Sequence, residues 1–206
     1  MIRRDWLLSL GLTGALAGGA AILFPQNPAP APAAVPEAQL AQARQAADAL
    51  VARLRGLLGS ALEKSGPAGA VDACAEQAQA ATREEAAKSG LSVRRVSLRY
   101  RNPADAPDDY ERAALERLAR EMKTKGLPPE VAEVVTPAGG GAAELRYLRP
   151  VVVAPHCLAC HGQAADLAPG VAEVLARRFP DDTATGYAAG DLRGAISVRV
   201  PLAAGS

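Results

Sequence analysis

Apolar residues recur at helical spacing between Glu37 and Lys64, at Leu40, Ala43, Ala47, Leu50, Val51, Leu54, Leu58 and Leu62, with no proline between them. That spacing predicts a long amphipathic helix. Ser65-Gly66-Pro67 interrupts it; Pro67 suits the first turn of a second helix running to about Lys88, and Gly90 is placed to cap its end. The period then shortens. Leu91, Val93, Val96 and Leu98 nearly alternate with polar residues through Arg99 and predict a strand, with a bulge at the Arg94-Arg95 step. After the loop RNPADAPDD, the stripe Tyr110, Ala114, Leu115, Leu118 and Met122 predicts a helix over Tyr110 to Lys123. Val131 to Val135 and Ala143 to Val153 read as strands around a turn from Thr136 to Gly141, Val171 to Phe179 as a short helix, and Gly194 to Val200 as a last strand.

Helices first, then strands mixed with short helices, predict an α+β domain with an antiparallel sheet and the helices over one face. No internal repeat and no long run of like charge suggests a solenoid or an extended tail. This domain is expected over residues 37–206. Before it, Arg3 and Arg4 precede an uncharged run from Trp6 to Phe24 that, as a helix, spans roughly 28 Å against a hydrocarbon core of about 30 Å. Residues 1–24 therefore read as an export segment, cleaved as a signal peptide or retained as an anchor, and give the chain a periplasmic or other extracytoplasmic destination. The arginine pair also faintly resembles a twin-arginine signal. Ala31-Pro32-Ala33 offers an A-x-A cleavage site, and the absence of a cysteine soon after the run excludes a lipid-anchored lipoprotein. Residues 25–36, rich in Pro and Ala, form a spacer.

Composition narrows the partners. With 23 basic and 22 acidic residues and a formal net charge of +1, there is no electrostatic footprint for nucleic acid, and contact with a membrane is expected only through the N-terminal segment. Aromatic residues make up 3% and the single tryptophan, Trp6, lies in the export segment, so the core must be built from Ala, Leu and Val. A large bound cofactor would help such a core.

The chemistry concentrates in APHCLACHG. Cys157-x-x-Cys160-His161 spaces two thiols to add to the vinyl groups of one haem and sets an imidazole to reach the iron, which predicts one covalent haem c. A zinc site would want four ligands, and Cys157, Cys160, His161, His156 and the distant Cys74 do not suggest one. A redox dithiol gives no reason for the histidine, and a disulfide between Cys157 and Cys160 closes too small a loop to contribute much. Opposite His161 the candidates are few. Met122 is most simply core, His156 is tethered to the attachment side, and Cys74 lies on an inward face with Val71, Ala78 and Ala81. A buried cysteine is commonly a small hydrophobe, yet an odd thiol in an exported chain also suits iron coordination; both readings stand on the residues alone.

AVDAC, LRYRNPADAPDDYE, YLRPVVVAPHCLACHG and ATGYAAGDLRGAISV, in that order, resemble a family of exported single-haem c-type domains with a PAS-like fold, formally a domain of unknown function. Members occur alone or as input modules of histidine kinases and chemoreceptors. The resemblance covers roughly residues 40 to 202. It implies an iron held by the motif histidine and a helix cysteine, positions matched here by His161 and Cys74. Asp105 departs from it, standing where an asparagine is expected. Arg99, Arg101, Arg146, Arg149 and Arg193, in or beside the matching motifs, are candidates to pair the haem propionates.

The expected function is redox or diatomic-gas sensing, or low-potential electron transfer, with a redox partner or separate signalling protein. A thiolate ligand lowers the reduction potential of iron, whereas methionine raises it. The alternatives are a haem enzyme such as a peroxidase with an open distal site, for which His156 is the only spare imidazole, or a haem-free zinc or thiol protein.

Overall fold

The computed structural model describes residues 34–136 and 140–203. The export segment, the spacer as far as residue 33 and the tip of the Thr136 to Gly141 turn lie outside them.

The first element, α1 (Glu37–Ser89), consists of two helical arms joined at Gly66. Gly66 has φ 63° and ψ −173°, a conformation essentially closed to residues with a Cβ, and Pro67 starts the second arm. The arms fold back on each other, as the ion pair between Arg53 and Glu84, 31 residues apart, requires. The second arm ends at Gly90, which is left-handed at φ 69° and donates its N–H to the Ala86 carbonyl at 3.0 Å. Both the break and the cap fall where the sequence places them.

Four antiparallel strands follow, β1 (Ser92–Val96), β2 (Val131–Val135), β3 (Glu144–Val152) and β4 (Leu192–Pro201), in the spatial order β1-β4-β3-β2. The α+β architecture with an antiparallel sheet is the one expected. On one sheet face the first arm buries Leu40, Ala43, Ala46, Ala47 and Leu50 against Val93, Leu145, Tyr147, Ile196, Val198 and Val200. The alanines let helix and sheet approach closely, and Leu50, fully enclosed, contributes roughly 1.5–3 kcal/mol by its burial.

The other face is also covered, which corrects the expectation of a one-sided sheet. Helix α2 (Asp109–Glu121) lays Ala114 and Leu115 on Val96, Leu148 and Ala195. A capping box starts it: Asp108 Oδ1 accepts from the Glu111 N–H at 2.8 Å, and Glu111 Oε2 accepts from the Asp108 N–H at 2.8 Å. Two-sided burial explains why β1 does not alternate cleanly. Its register against β4 is unbroken from Ser92↔Arg199 to Val96↔Ala195, so no bulge lies at Arg94-Arg95 and the two arginines point to opposite faces. The register shift occurs instead at Val151/Val152 in β3. Strand β1 also ends earlier than its apolar pattern suggests. Ser97 leaves the ladder to donate its N–H to the Asp105 carbonyl at 3.1 Å. Beside it Gly194 packs so near the Val96 carbonyl that a Cβ there would lie 2.2 Å from the oxygen.

Two short helices complete the fold: α3 (Leu158–His161) and α4 (Val171–Arg178). Val171 and Leu175 of α4 pack on Val71 of the second α1 arm. Arg178 secures that contact with ion pairs to Asp72 (3.1 Å) and Glu76 (2.9 Å).

Candidate functional site

A cavity of about 360 Å³ opens between the α1 hairpin, the ends of β1, β3 and β4, and α3. Its apolar wall comes from both arms, Leu54, Leu58 and Leu62 on the first and Ala70, Val71 and Ala78 on the second, with Val151 to Val153 and Phe179 beyond. Into this one space come Cys74 from the second arm and Cys157, Cys160 and His161 from the motif. Elements 87 positions apart in the chain thus bring the three thiols and the imidazole predicted from the sequence to the same place. None of the thiols is disulfide-bonded.

His161 is held in a defined orientation. Its Nδ1 lies 2.6 Å from the Ala184 carbonyl oxygen, which can only accept, so Nδ1 carries the hydrogen and Nε2 keeps its lone pair. The 2.9 Å bond from the Tyr187 N–H to the His161 carbonyl, and that from the Gly186 N–H to the Gly162 carbonyl at 2.7 Å, lay the segment containing Ala184 along α3. Burial, reinforced by the charges of Arg193 and Arg101, pushes the imidazole pKa down to about 3, so the ring is neutral at physiological pH. Tyr187 meets it edge-on, with ring centroids 6.3 Å apart. Burial pushes the Cys160 and Cys74 thiols up from the ordinary value, the latter opposed by Arg95. A neutral imidazole with a free lone pair facing a cavity that also holds thiols is a soft donor set suited to a transition metal. Among the described residues no group of three or more His, Cys, Asp or Glu is arranged to hold a bare metal ion, which weighs against the zinc alternative.

The arginines sort by place. Arg101 lines the cavity but is committed to the protein, with Nε 3.0 Å from Asp182 Oδ2 and Nη2 donating to the Cys160 carbonyl at 2.7 Å. Its Nη2 also lies 3.4 Å from His161 Nδ1, a contact between two donors and not a hydrogen bond. Arg193 lines the cavity too. The other candidates stand elsewhere. Arg99 stacks on Tyr187, 4.3 Å from the ring centroid, and donates to the Thr183 carbonyl. Arg149 pairs with Asp48 of α1, and Arg146 with Asp108 (2.6 Å) and Glu144 (3.2 Å) against α2. None of these three lines the cavity, and each already has a partner in the protein.

Met122 does not line the cavity, while His156 sits exposed at its rim beside Cys157. The sequence reading missed Arg95, which reaches the cavity and pairs with Asp105 at 3.1 Å. Strict alternation would have found it, since Arg95 shares a sheet face with Val93. Asp105, the departure noted in the RNP loop, also accepts from Gln79 of the second α1 arm at 2.8 Å. Its charge therefore has a local use.

No protein of curated function matches the chain. Among solved structures, the crystal structure of the cyanobacterial heme-protein Tll0287 is similar at a TM-score of 0.61 and 27% identity, covering 84% of this chain and 100% of that one. The model of the family described as Tll0287-like matches residues 31–201, which include every strand and the whole cavity, and the chain belongs to that family.

Proposed function

We propose that the cavity holds one haem, attached covalently through Cys157 and Cys160, that His161 and Cys74 would hold its iron, and that the protein is a low-potential electron carrier or redox sensor working outside the cytoplasm, where c-type haem is attached. The observation that carries this reading is the meeting of the CxxCH motif and Cys74 in one apolar cavity. The residues present fit the group. The motif thiols keep the C-x-x-C sequence spacing used for haem attachment, the walls are largely apolar, and the imidazole is neutral with Nε2 available. Bound haem supplies a one-electron iron centre.

The protein's own part is positioning and exclusion. The Ala184 carbonyl fixes the tautomer and rotation of His161, and Arg101 ties the motif backbone to the loop carrying Ala184 through Asp182. The Ala184 N–H bonds Asp182 Oδ1 at 2.8 Å, closing that link. The leucine wall keeps water from the ring faces, and Cys74, with its raised pKa, releases a proton when it serves as thiolate. Detection of redox state or of a diatomic gas through Cys74 is the sensing variant of the same reading. The likeness to a cyanobacterial heme-protein supports the cofactor.

The test is to produce the protein with a haem c maturation system and compare optical and EPR spectra of the protein with those of C74S. A low-spin ferric signal of thiolate type that disappears in C74S is expected, together with a low reduction potential that rises in the variant. A spectrum indifferent to C74S would return Cys74 to the core, and a colourless protein with no covalent mass increment would overturn the haem reading altogether.

A further inference from the structure

Three guanidinium groups line the cavity, those of Arg95, Arg101 and Arg193, and their charges are not equally matched. Arg101 has Asp182 at 3.0 Å and Arg95 has Asp105 at 3.1 Å. Arg193 has no carboxylate within ion-pair distance among the described residues. Its Nη1 donates to Ser97 Oγ at 2.9 Å and to the Arg99 carbonyl at 3.0 Å, and neither Nε nor Nη2 has a protein acceptor among the described residues. The nearby carboxylates are already engaged: Asp105 also accepts from Gln79, and Asp182 from the Ala184 N–H. Tyr187 offers only its ring face, 5.6 Å away. Burial lowers the pKa of Arg193, as expected for a cation short of counter-charge. A buried cation without a partner is costly, and a half-satisfied guanidinium facing a cavity is a receptor for a carboxylate.

We propose that Arg193 anchors one propionate carboxylate of the haem, so that the one cavity-lining guanidinium without a carboxylate partner among the described residues is neutralised by the occupant. This rests on the haem reading above. It assigns the anchoring role to the last strand, whereas Arg101 remains a positioning residue for the motif. The two propionates become inequivalent, one held ionised at Arg193 and the other free to titrate normally.

Infrared spectra of protein carrying haem labelled with ¹³C at both propionate carboxyls test this, because the label separates those bands from Asp105 and Asp182. In the wild type, one propionate should stay ionised at acid pH where the other protonates. In R193Q its protonation midpoint should rise by about 1–3 pH units, with R193K holding it part of the way. Identical titrations in wild type and R193Q, or two wild-type propionates protonating together, would overturn the proposal. If R193Q does not fold, the split or coincidence of the wild-type titrations decides. Mass and colour of the wild type report separately on whether haem is present at all.

Discussion

Arg101 shows how much of the site depends on single side chains that are largely withdrawn from solvent. It is 12% exposed and its partner Asp182 only 7%. Removing the guanidinium would leave a buried carboxylate held by one backbone N–H and would free the Cys160 carbonyl. Arg101→Ala should therefore cost about 3–5 kcal/mol, read as a shift in the urea midpoint, and the double variant R101A/D182A should lose less than the sum of the two single changes. Additive losses would mean that the pair is not coupled. At this scale the sequence was informative about chemistry and poor about allegiance. CxxCH and Cys74 are legible because their side chains have few other uses, whereas an arginine beside a motif has many. Arg99, Arg149 and Arg101 bond to Thr183, Asp48 and Asp182, residues that lie far along the chain and that no local pattern could nominate.

At the scale of elements, the α1 hairpin turns on one residue. A Cβ on Gly66 would meet nothing within 4 Å, so steric crowding is not the obstacle; the backbone conformation is. Gly66→Ala should destabilise the fold by about 1–3 kcal/mol through that strain alone, measurable by chemical denaturation. An unchanged midpoint would show that the turn relaxes at no cost. The Ser65-Gly66-Pro67 break and the Gly90 cap were legible because both depend on backbone freedom that only particular residues allow. The strand ends were less so. Tertiary bonds from Ser97 pull β1 short, and two-sided burial makes Val93 and Val96 look like neighbours on one apolar face when they point to opposite ones.

For the molecule as a whole, the charged layer between α2 and the sheet governs behaviour in acid. Burial would push the Asp108 carboxyl up, but the Glu111 N–H and the guanidinium of Arg146 outweigh it, and the pKa falls below the ordinary 3.8. The unfolded chain therefore takes up this proton at a higher pH than the folded one. The contribution is complete above 3.8 and is lost as pH falls through the folded value. Asp108→Asn keeps a capping oxygen and removes only the charge. Its cost should be about 1 kcal/mol near neutral pH and should shrink toward zero in acid, as thermal melts across pH would record. A cost constant with pH would place the effect in the cap.

The order β1-β4-β3-β2 seats the final strand between β3, its neighbour in sequence, and the distant β1, with Ser92 pairing Arg199 across more than half the chain. Among the described strands β4 comes last in the chain and is the one that joins β1 to β3, so until it pairs the sheet is only a β3–β2 hairpin and a separate β1. Loops of this length close slowly, and the enclosure around the motif, Arg193 included, cannot precede that closure. The folded chain leaves both motif thiols only part-exposed, so chemistry that must reach them is expected to act more readily before that closure.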